Sequence, residues 1–159
     1  MLLRPFGKRE DFGHRLQGVF LGADIHDWIL SRIARGGCYD PRMMMLLLAA
    51  LLQDPGWEPG KTWVFAVGVL EWLDSKTWAS FPKEGRRDAE LVDLLKSKGV
   101  PRDHVAFLKD GDATRKAIVK AFEEMLDRTR EGELLVFYYA GHGCRDQSGT
   151  TYFANYDAT

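Results

Sequence analysis

The tripeptide Gly141-His142-Gly143 is the part of the sequence best suited to chemistry. It directly follows residues 133–140, ELLVFYYA, an apolar run that is typical of a buried strand. The two glycines permit unusual backbone angles and let other groups approach closely. An imidazole displayed there could act as a general base, because imidazole gains and loses a proton readily near neutral pH. A polar loop histidine with no chemical role is the alternative that this motif alone leaves open.

The segments around this motif predict a sheet that displays His142 at one edge. Strand-like and helix-like segments alternate from residue 62 on, at residues 62–70, 88–98, 104–108, 112–128 and 133–140. This alternation predicts a mostly parallel sheet with helices on both faces. Residues 149–155 form a further short strand candidate. Gly99 is expected to end the first helix, and Asp112 or Thr114 to begin the second.

The first 60 residues predict a separate, mostly helical region. Residues 20–33 carry apolar side chains at a spacing closer to a helical period than to alternation. Residues 43–52, MMMLLLAALL, are too few to span a bilayer and indicate a buried helix. The alternative, the apolar part of a signal peptide, lacks a basic segment and a cleavage site. A Pro- and Gly-rich stretch, 53–61, separates this region of unknown role, 1–60, from residues 61–159.

Composition narrows the class of protein. The chain has 159 residues, 45% of them hydrophobic, and this is enough to bury a core without disulfides or a structural metal. With 22 basic and 23 acidic residues the net charge is -1, so we expect no nucleic acid as a partner. The longest apolar run has ten residues, too few to span a bilayer, so we expect no membrane as a partner either. Two cysteines, Cys38 and Cys144, make neither a disulfide framework nor a zinc cluster, which favours a reducing, cytoplasmic location.

Several ordered sequence blocks between residues 62 and 158 carry a family resemblance. VFYYAGHG at 136–143, followed by GTTYFANYDA at 149–158, is similar to the region around the catalytic histidine of caspase-like cysteine peptidases. This group includes caspases, metacaspases and bacterial orthocaspases. Upstream, FAVGV at 65–69, GRRDA at 85–89 and ATR at 113–115 resemble the first core strand, the loop before the first helix and the start of the second helix. The resemblance implies an α/β three-layer sandwich that is incomplete in this chain.

The same resemblance implies a Cys-His dyad. The thiolate would attack the scissile carbonyl, His142 would take or relay the thiol proton, and the backbone around Gly143 would help to form the oxyanion hole. In caspases the cysteine lies about 50 residues after the histidine, which is beyond Thr159. Cys144 shares a loop with His142 instead of ending the next core strand, and Cys38 lacks the preceding Gln-Ala. We therefore expect the nucleophile on a following segment or a separate chain.

Asp88 is the candidate for recognising the substrate. Metacaspase-like members usually cleave after Arg or Lys, using acidic residues in the primary pocket, and the resemblance places Asp88 at one of them. A carboxylate can pair bidentately with a substrate guanidinium. True caspases prefer Asp and use Arg in that pocket, so Arg86 and Arg87 are competing candidates. The structural alternative for Asp88 is the N-cap of the following helix.

Other polar and aromatic residues have a structural interpretation beside a functional one. Asp110-Gly111-Asp112 looks like a fragment of a calcium loop, but it lacks the remaining ligands, and helix capping explains it better. We expect no metal site and no cofactor; some metacaspases need calcium, but the sequence identifies no site for it. Asp157 is interpreted as a residue that positions its loop. Trp72 and Trp78 belong to the core or line a substrate groove.

These observations predict part of a cysteine endopeptidase that hydrolyses peptide bonds after Arg or Lys. Its expected partners are a protein or peptide substrate and the segment or chain that carries the cysteine. Because the chain ends before the fourth core strand of the family, we expect an exposed sheet edge. The alternative is a non-catalytic caspase-like module for interaction or regulation. An enzyme of the α/β-hydrolase type is a third and weaker option, because no G-x-S-x-G motif is present.

Overall fold

A computed structural model describes residues 17–21, 56–84, 86–147 and 150–159. Within these ranges the chain forms β1 (Gln17–Leu21), β2 (Thr62–Gly68), α1 (Arg87–Ser97), β3 (Val105–Lys109), α2 (Arg115–Arg128), β4 (Leu134–Ala140), β5 (Gly143–Arg145) and β6 (Thr151–Phe153). Short 3-10 turns lie at Pro59–Lys61, Arg102–His104 and Asp110–Asp112. The strands and helices predicted after residue 61 are confirmed, with boundaries shifted by at most three residues.

The sheet is parallel and β2 lies in its interior. The strand order is β1-β4-β2-β3, and β2 pairs in parallel with both β3 and β4. Val64 of β2 is opposite Val105 on one side and Val136 on the other. Every residue of β2 is buried, as expected for a parallel strand that is covered on both faces. The predicted α/β fold with a parallel sheet is therefore confirmed for β2, β3 and β4.

The two helices cover opposite faces of the sheet. Alternate residues of β2 point to opposite faces, so Phe65 and Val67 join the cluster that contains Phe122 of α2, whereas Val64 and Ala66 pack with α1. The residues that α1 contributes are Leu91, Val92 and Leu95. Phe65 and Phe122 meet edge to face, with ring centroids 4.9 Å apart. Residues 62–140 thus form three layers, helix, sheet and helix.

Both predicted helix ends are confirmed. The Thr114 hydroxyl accepts a hydrogen bond from the Ala117 amide at 3.3 Å and caps the start of α2. Gly99 follows the end of α1 with a left-handed φ of 101°, which glycine adopts without steric cost. The Val100 amide then bonds to the Leu95 carbonyl at 3.2 Å, which satisfies one of the last carbonyls of α1.

Of the predicted helical region, 1–60, only residues 17–21 and 56–60 are described, so the region as a whole stays a prediction. Phe20 and Leu21, expected to begin a helix, belong to β1, which pairs in parallel with β4 from Leu134 to Tyr138. A run as short as QGVFL cannot be assigned by periodicity, and pairing with a neighbouring strand decides its conformation. The side of β4 that faces away from β2 is therefore paired with β1, and the exposed sheet edge expected from the family resemblance stays a prediction. The remaining positions up to residue 55, including the predicted helix at 43–52, lie outside the described residues.

The strand predicted at 149–155 is present as β6, but it does not join the parallel sheet. It pairs antiparallel with β5, with Cys144 opposite Tyr152. Strand β5 was not predicted, because its three residues are too few to show an apolar alternation. This hairpin begins directly after His142 and so holds the segment that carries it. None of the helices in the described ranges is long and apolar enough to cross a bilayer.

Candidate functional site

His142 lies at the carboxyl edge of the sheet, between the end of β4 and the start of β5. Its carbonyl oxygen accepts a hydrogen bond from the Ala154 amide at 2.9 Å. The Tyr139 hydroxyl is 2.8 Å from both the His142 and the Ala154 carbonyl oxygens, and it can donate its one proton to either. Burial raises the pKa of Tyr139, which keeps this hydroxyl a donor. The backbone of His142 is therefore held from two sides.

Gly141 permits this arrangement because no side chain fits at its position. A Cβ built on Gly141 would lie 2.5 Å from the Tyr139 hydroxyl and 3.0 Å from the Val69 carbonyl oxygen. At Gly143 a Cβ would lie 3.1 Å from the Tyr152 carbonyl oxygen, which is also tight. The expectation that these glycines allow a close approach is confirmed, most clearly at Gly141.

A backbone carbonyl selects the tautomer of the His142 imidazole. Its Nε2 lies 2.8 Å from the carbonyl oxygen of Ala79. A carbonyl oxygen can only accept a hydrogen bond, so Nε2 must carry the proton. In the neutral ring Nδ1 is then unprotonated and available as an acceptor. The ring is thus arranged to accept a proton at Nδ1, as general base catalysis requires.

Three aromatic side chains of the loop at residues 69–84 surround the imidazole. The ring centroids of Phe81, Trp72 and Trp78 lie 4.4, 4.6 and 5.8 Å from that of His142. Trp72 is also part of the core, since it is 4% exposed and its indole Nε1 donates to the Ala154 carbonyl at 3.0 Å. The core interpretation is therefore confirmed for Trp72, and the substrate groove stays a prediction.

Sequence reasoning missed Ala79 and Phe81 as neighbours of His142. An alanine that acts through its backbone carbonyl leaves no signal in the sequence. Phe81 lies 61 positions before His142, in a segment without a helical or alternating pattern. The only available signal was the density of aromatic residues between positions 72 and 81, where Trp72, Trp78 and Phe81 occur together.

Arg86 forms a second cluster at the same edge of the sheet. Its guanidinium pairs bidentately with Asp88, at 3.1 Å to Oδ1 and 2.7 Å to Oδ2. It also donates to the Asp110 carboxylate and, at 3.0 Å, to the carbonyl oxygen of Gly68. Gly68 ends β2 and pairs in register with Ala140, two residues before His142. The charged cluster and the imidazole are therefore carried by adjacent strand ends.

Asp88 is enclosed by this cluster. It is 2% exposed, and its Oδ1 accepts a further hydrogen bond from the Ala89 amide at 2.9 Å. A Cβ on Gly68 would lie 1.8 Å from Asp88 Oδ2, so the carboxylate occupies space that only glycine leaves open. The N-cap interpretation of Asp88 is wrong, because Asp88 lies within the first turn of α1 and Arg86 is the N-cap residue. Its role in substrate binding stays a prediction.

Arg86 and Arg87, the alternative candidates to Asp88 for the primary substrate pocket, differ in their surroundings. Arg86 is held between two carboxylates, and its side chain is 17% exposed. With Asp88 and Asp110 ionised, the cluster has a net charge of -1, which disfavours an acidic ligand. Arg87 is 72% exposed and pairs with Glu90 on the surface of α1. Neither position resembles an open pocket for an acidic side chain.

Asp110 makes the stability of the fold depend on pH. Burial works to raise its pKa, but the hydrogen bond from the Leu70 amide and the pairing with Arg86 lower it below the ordinary value of 3.8. A carboxyl group with a lowered pKa stabilises the fold above its unfolded pKa, and this contribution is lost as pH falls through the folded pKa. The stabilisation that Asp110 contributes is therefore lost below about pH 4.

We expect Asp110→Asn to remove this part of the pH dependence. Urea unfolding between pH 3 and pH 7 should show a variant that is destabilised by about 1 to 2 kcal/mol at pH 7, with a smaller further loss on acidification than the wild type has. Asp93→Asn is the matched control, since Asp93 is 79% exposed. An acid loss in Asp110→Asn as steep as in the wild type would contradict this assignment.

Asp157 positions its loop, in agreement with the interpretation from the sequence. Its Oδ1 accepts the Arg115 amide at 2.8 Å, at the first turn of α2, and the side-chain amide of Asn155. Burial acts to raise the pKa of Asp157, but these hydrogen bonds hold it below its usual value. The Tyr156 amide also bonds to the Ala113 carbonyl at 2.9 Å. The segment after β6 is thus fastened to the start of α2.

The described ranges contain one thiol and no candidate metal site. Cys144 is a free, partly buried residue of β5, whereas Cys38 lies outside the described residues. No group of three His, Cys, Asp or Glu side chains there is arranged to hold a metal ion. Comparison with protein-family models, with curated proteins and with solved structures gives no match. The caspase-like resemblance therefore depends on the sequence blocks quoted above.

Proposed function

We propose that this chain supplies the general base of a caspase-like cysteine endopeptidase. The observation that carries the proposal is the imidazole of His142 at the carboxyl edge of a parallel sheet, with Nε2 bonded to the Ala79 carbonyl and Nδ1 left as an acceptor. Ligands of open parallel sheets bind at this edge. The ordered sequence blocks at residues 62–158 support the same conclusion. The nucleophilic cysteine comes from a following segment or a second chain.

The reaction follows the usual course of a Cys-His dyad. Nδ1 of His142 takes the proton of the cysteine thiol, and the thiolate forms a bond to the scissile carbonyl carbon. The backbone amide of Gly143 is proposed to stabilise the resulting oxyanion. His142 then gives its proton to the leaving amine as the C–N bond breaks. Water, deprotonated by His142, attacks the thioester and releases the acid and the free thiol.

A preference for Arg or Lys before the scissile bond is the proposed specificity. The cluster of Arg86, Asp88 and Asp110 lies beside the strand end that carries His142 and has a net charge of -1 with both carboxylates ionised. A substrate guanidinium that pairs with Asp88 has to take the place of Arg86, because both Asp88 oxygens are engaged by it. The proposal therefore requires Arg86 to move when substrate binds.

A non-catalytic caspase-like module is the second candidate, and the same pairing favours it. If Arg86 stays on Asp88, the predicted pocket for a basic side chain is filled by the protein itself. The chain would then use the sheet edge for binding a partner and not for hydrolysis. The two candidates differ in turnover, which makes them separable by one assay.

We expect the full encoded protein to cleave peptides that carry Arg or Lys before the scissile bond. A set of fluorogenic peptides that differ only at that residue, Arg, Lys, Asp or Ala, should give turnover at least tenfold faster for the two basic members, since a charge-assisted hydrogen bond is worth about 1.5 to 3 kcal/mol. Iodoacetamide should stop the reaction. Fastest cleavage after Asp would contradict the specificity, and binding without turnover would favour the module.

A further inference from the structure

We propose that the loop at residues 69–84 is an aromatic clamp that fixes the plane and the tautomer of His142, with Phe81 as a positioning residue. The clamp consists of Trp72, Trp78 and Phe81. The inference depends on the proposed role of His142 as a base, but it concerns how the imidazole is held and not which substrate is cut. It assigns a task to three aromatic residues that the dyad chemistry does not use.

Three aromatic rings pack around the imidazole of His142. Phe81 and Trp72 lie with their ring centroids 4.4 and 4.6 Å from that of His142, at interplanar angles of 38° and 40°. Trp78 approaches to 5.8 Å at 36°. Trp72 also contacts Phe81 edge to face at 5.8 Å, so the rings support one another. A rotation of the imidazole would have to displace at least one of them.

The hydrogen bond to Ala79 does not by itself fix the plane of the imidazole. The bond from Nε2 to the Ala79 carbonyl sets one atom, and the imidazole could still pivot around it. A half-turn about the Cβ–Cγ bond would exchange Nδ1 with Cδ2 and Nε2 with Cε1. The proton acceptor would then leave its present position, and the bond from Nε2 to Ala79 would be lost. Aromatic faces packed against the imidazole oppose this half-turn, because it sweeps the ring through the space they fill.

The clamp is itself anchored by hydrogen bonds and an ion pair. The Phe81 amide donates to the Leu70 carbonyl at 2.8 Å, which brings the two ends of the loop together. The Lys83 ammonium pairs with Glu71 at 2.6 Å across the same junction. Trp72 is tied to the Ala154 carbonyl through its indole nitrogen. The two ends of the loop are therefore joined by hydrogen bonds, and the loop holds Ala79 and Phe81 against the imidazole.

Phe81 is the residue at which this inference can be tested. Trp72 is 4% exposed, so its replacement would report mainly on folding, whereas Phe81 is 39% exposed and its side chain can be shortened with little loss of core. Phe81→Tyr keeps the ring and serves as the conservative variant. Leu73→Ala is the matched control, because Leu73 is a 67% exposed apolar residue of the same loop with no ring to offer the imidazole.

The experiment uses the full encoded protein labelled with ¹⁵N-histidine. Long-range ¹H–¹⁵N spectra report the tautomer, and the loss of signals in His142→Gln assigns this ring. We expect one Nε2–H tautomer in the wild type, in Phe81→Tyr and in Leu73→Ala, and mixed tautomers in Phe81→Ala. Trp78→Ala, which removes the other partly exposed ring, is expected to behave like Phe81→Ala and serves if that variant does not fold.

Kinetics on the same variants give an independent readout. A base displaced by about 1 Å can lose 10²-fold in rate. We therefore expect Phe81→Ala to lower kcat about tenfold and to change KM less than twofold. Phe81→Tyr is expected to keep the wild-type kcat. A single Nε2–H tautomer retained in both Phe81→Ala and Trp78→Ala overturns the clamp. Mixed tautomers in Phe81→Ala, together with a single tautomer and no peptide cleavage in the wild type, support the clamp and refute the proposed function, so the two failures are distinguishable.

Discussion

We expect His142→Ala to lower kcat/KM for peptide cleavage by the full encoded protein by a factor of about 10³. A positioned general base typically contributes 10²- to 10⁴-fold, and alanine removes both the proton acceptor and the bond to Ala79. The thiol would then have to lose its proton to water. The measurement is the hydrolysis rate of an Arg-containing fluorogenic peptide under conditions where the wild type is active.

The control for this prediction is a second histidine of the same domain. His104 precedes β3, at the opposite end of the sheet from His142, and its ring stacks on Trp63 at 3.9 Å. His104→Gln should therefore change the thermal midpoint of unfolding and leave kcat/KM within about twofold of the wild type. Retention of more than a tenth of the wild-type kcat/KM in a folded His142→Ala protein would refute the role of His142 as the base.

We expect Arg86→Met to lower the free energy of unfolding by about 3 kcal/mol or more. Breaking a buried ion pair by removing one partner typically costs 3 to 5 kcal/mol, because the remaining charge is left buried without compensation. Here two carboxylates lose their partner, and the side chain of Asp88 is only 1% exposed. The Gly68 carbonyl also loses a donor. Urea unfolding at pH 7 measures the effect.

The neighbouring arginine provides the matched control. Arg87→Met removes the same charge from a 72% exposed position that pairs only with Glu90, so a change within about 0.5 kcal/mol is expected. Arg86→Lys should be intermediate, because lysine keeps the charge but loses the planar fork that matches Asp88. Equal unfolding free energies for Arg86→Met and Arg87→Met would show that the cluster contributes nothing to stability.

The fold after residue 61 was largely predictable because its signals are local. The apolar run of β2 indicates a strand covered on both faces, and the stripe Ile118, Phe122, Met125 indicates a helix with one buried side. Gly99 and Thr114 mark helix ends through their own backbone and side-chain chemistry. Strand β5 and the pairing partner of β6 were not predictable, since three-residue strands carry no periodic pattern.

The candidate site was predictable only in part. The glycines around His142 indicated a displayed imidazole. The position of Trp72 and Trp78 in the loop after β2 indicated either core residues or the lining of a substrate groove. The Ala79 carbonyl and the Arg86–Asp88 pair were not predictable, because a backbone oxygen is present at every residue and a charged pair can form between many candidates. Ala79 and His142 are 63 positions apart, and they meet only when the loop after β2 packs against the segment that follows β4.

The sequence by itself determined the order of strands and helices in the described carboxyl-terminal region, the parallel sheet, and the display of a histidine between two glycines where β4 ends. These follow from hydrophobic periodicity and from glycine's missing side chain, which act over a few residues. Only the tertiary structure decided which ring nitrogen of His142 carries the proton and that Asp88 is paired within the protein. The tautomer depends on the Ala79 carbonyl, which lies 63 positions from His142. Asp88 is paired with Arg86, only two positions away, but Arg86 is held there by Asp110 and by the Gly68 carbonyl, which are more distant in sequence. Such hydrogen bonds and ion pairs form only between atoms that folding brings to within about 3 Å.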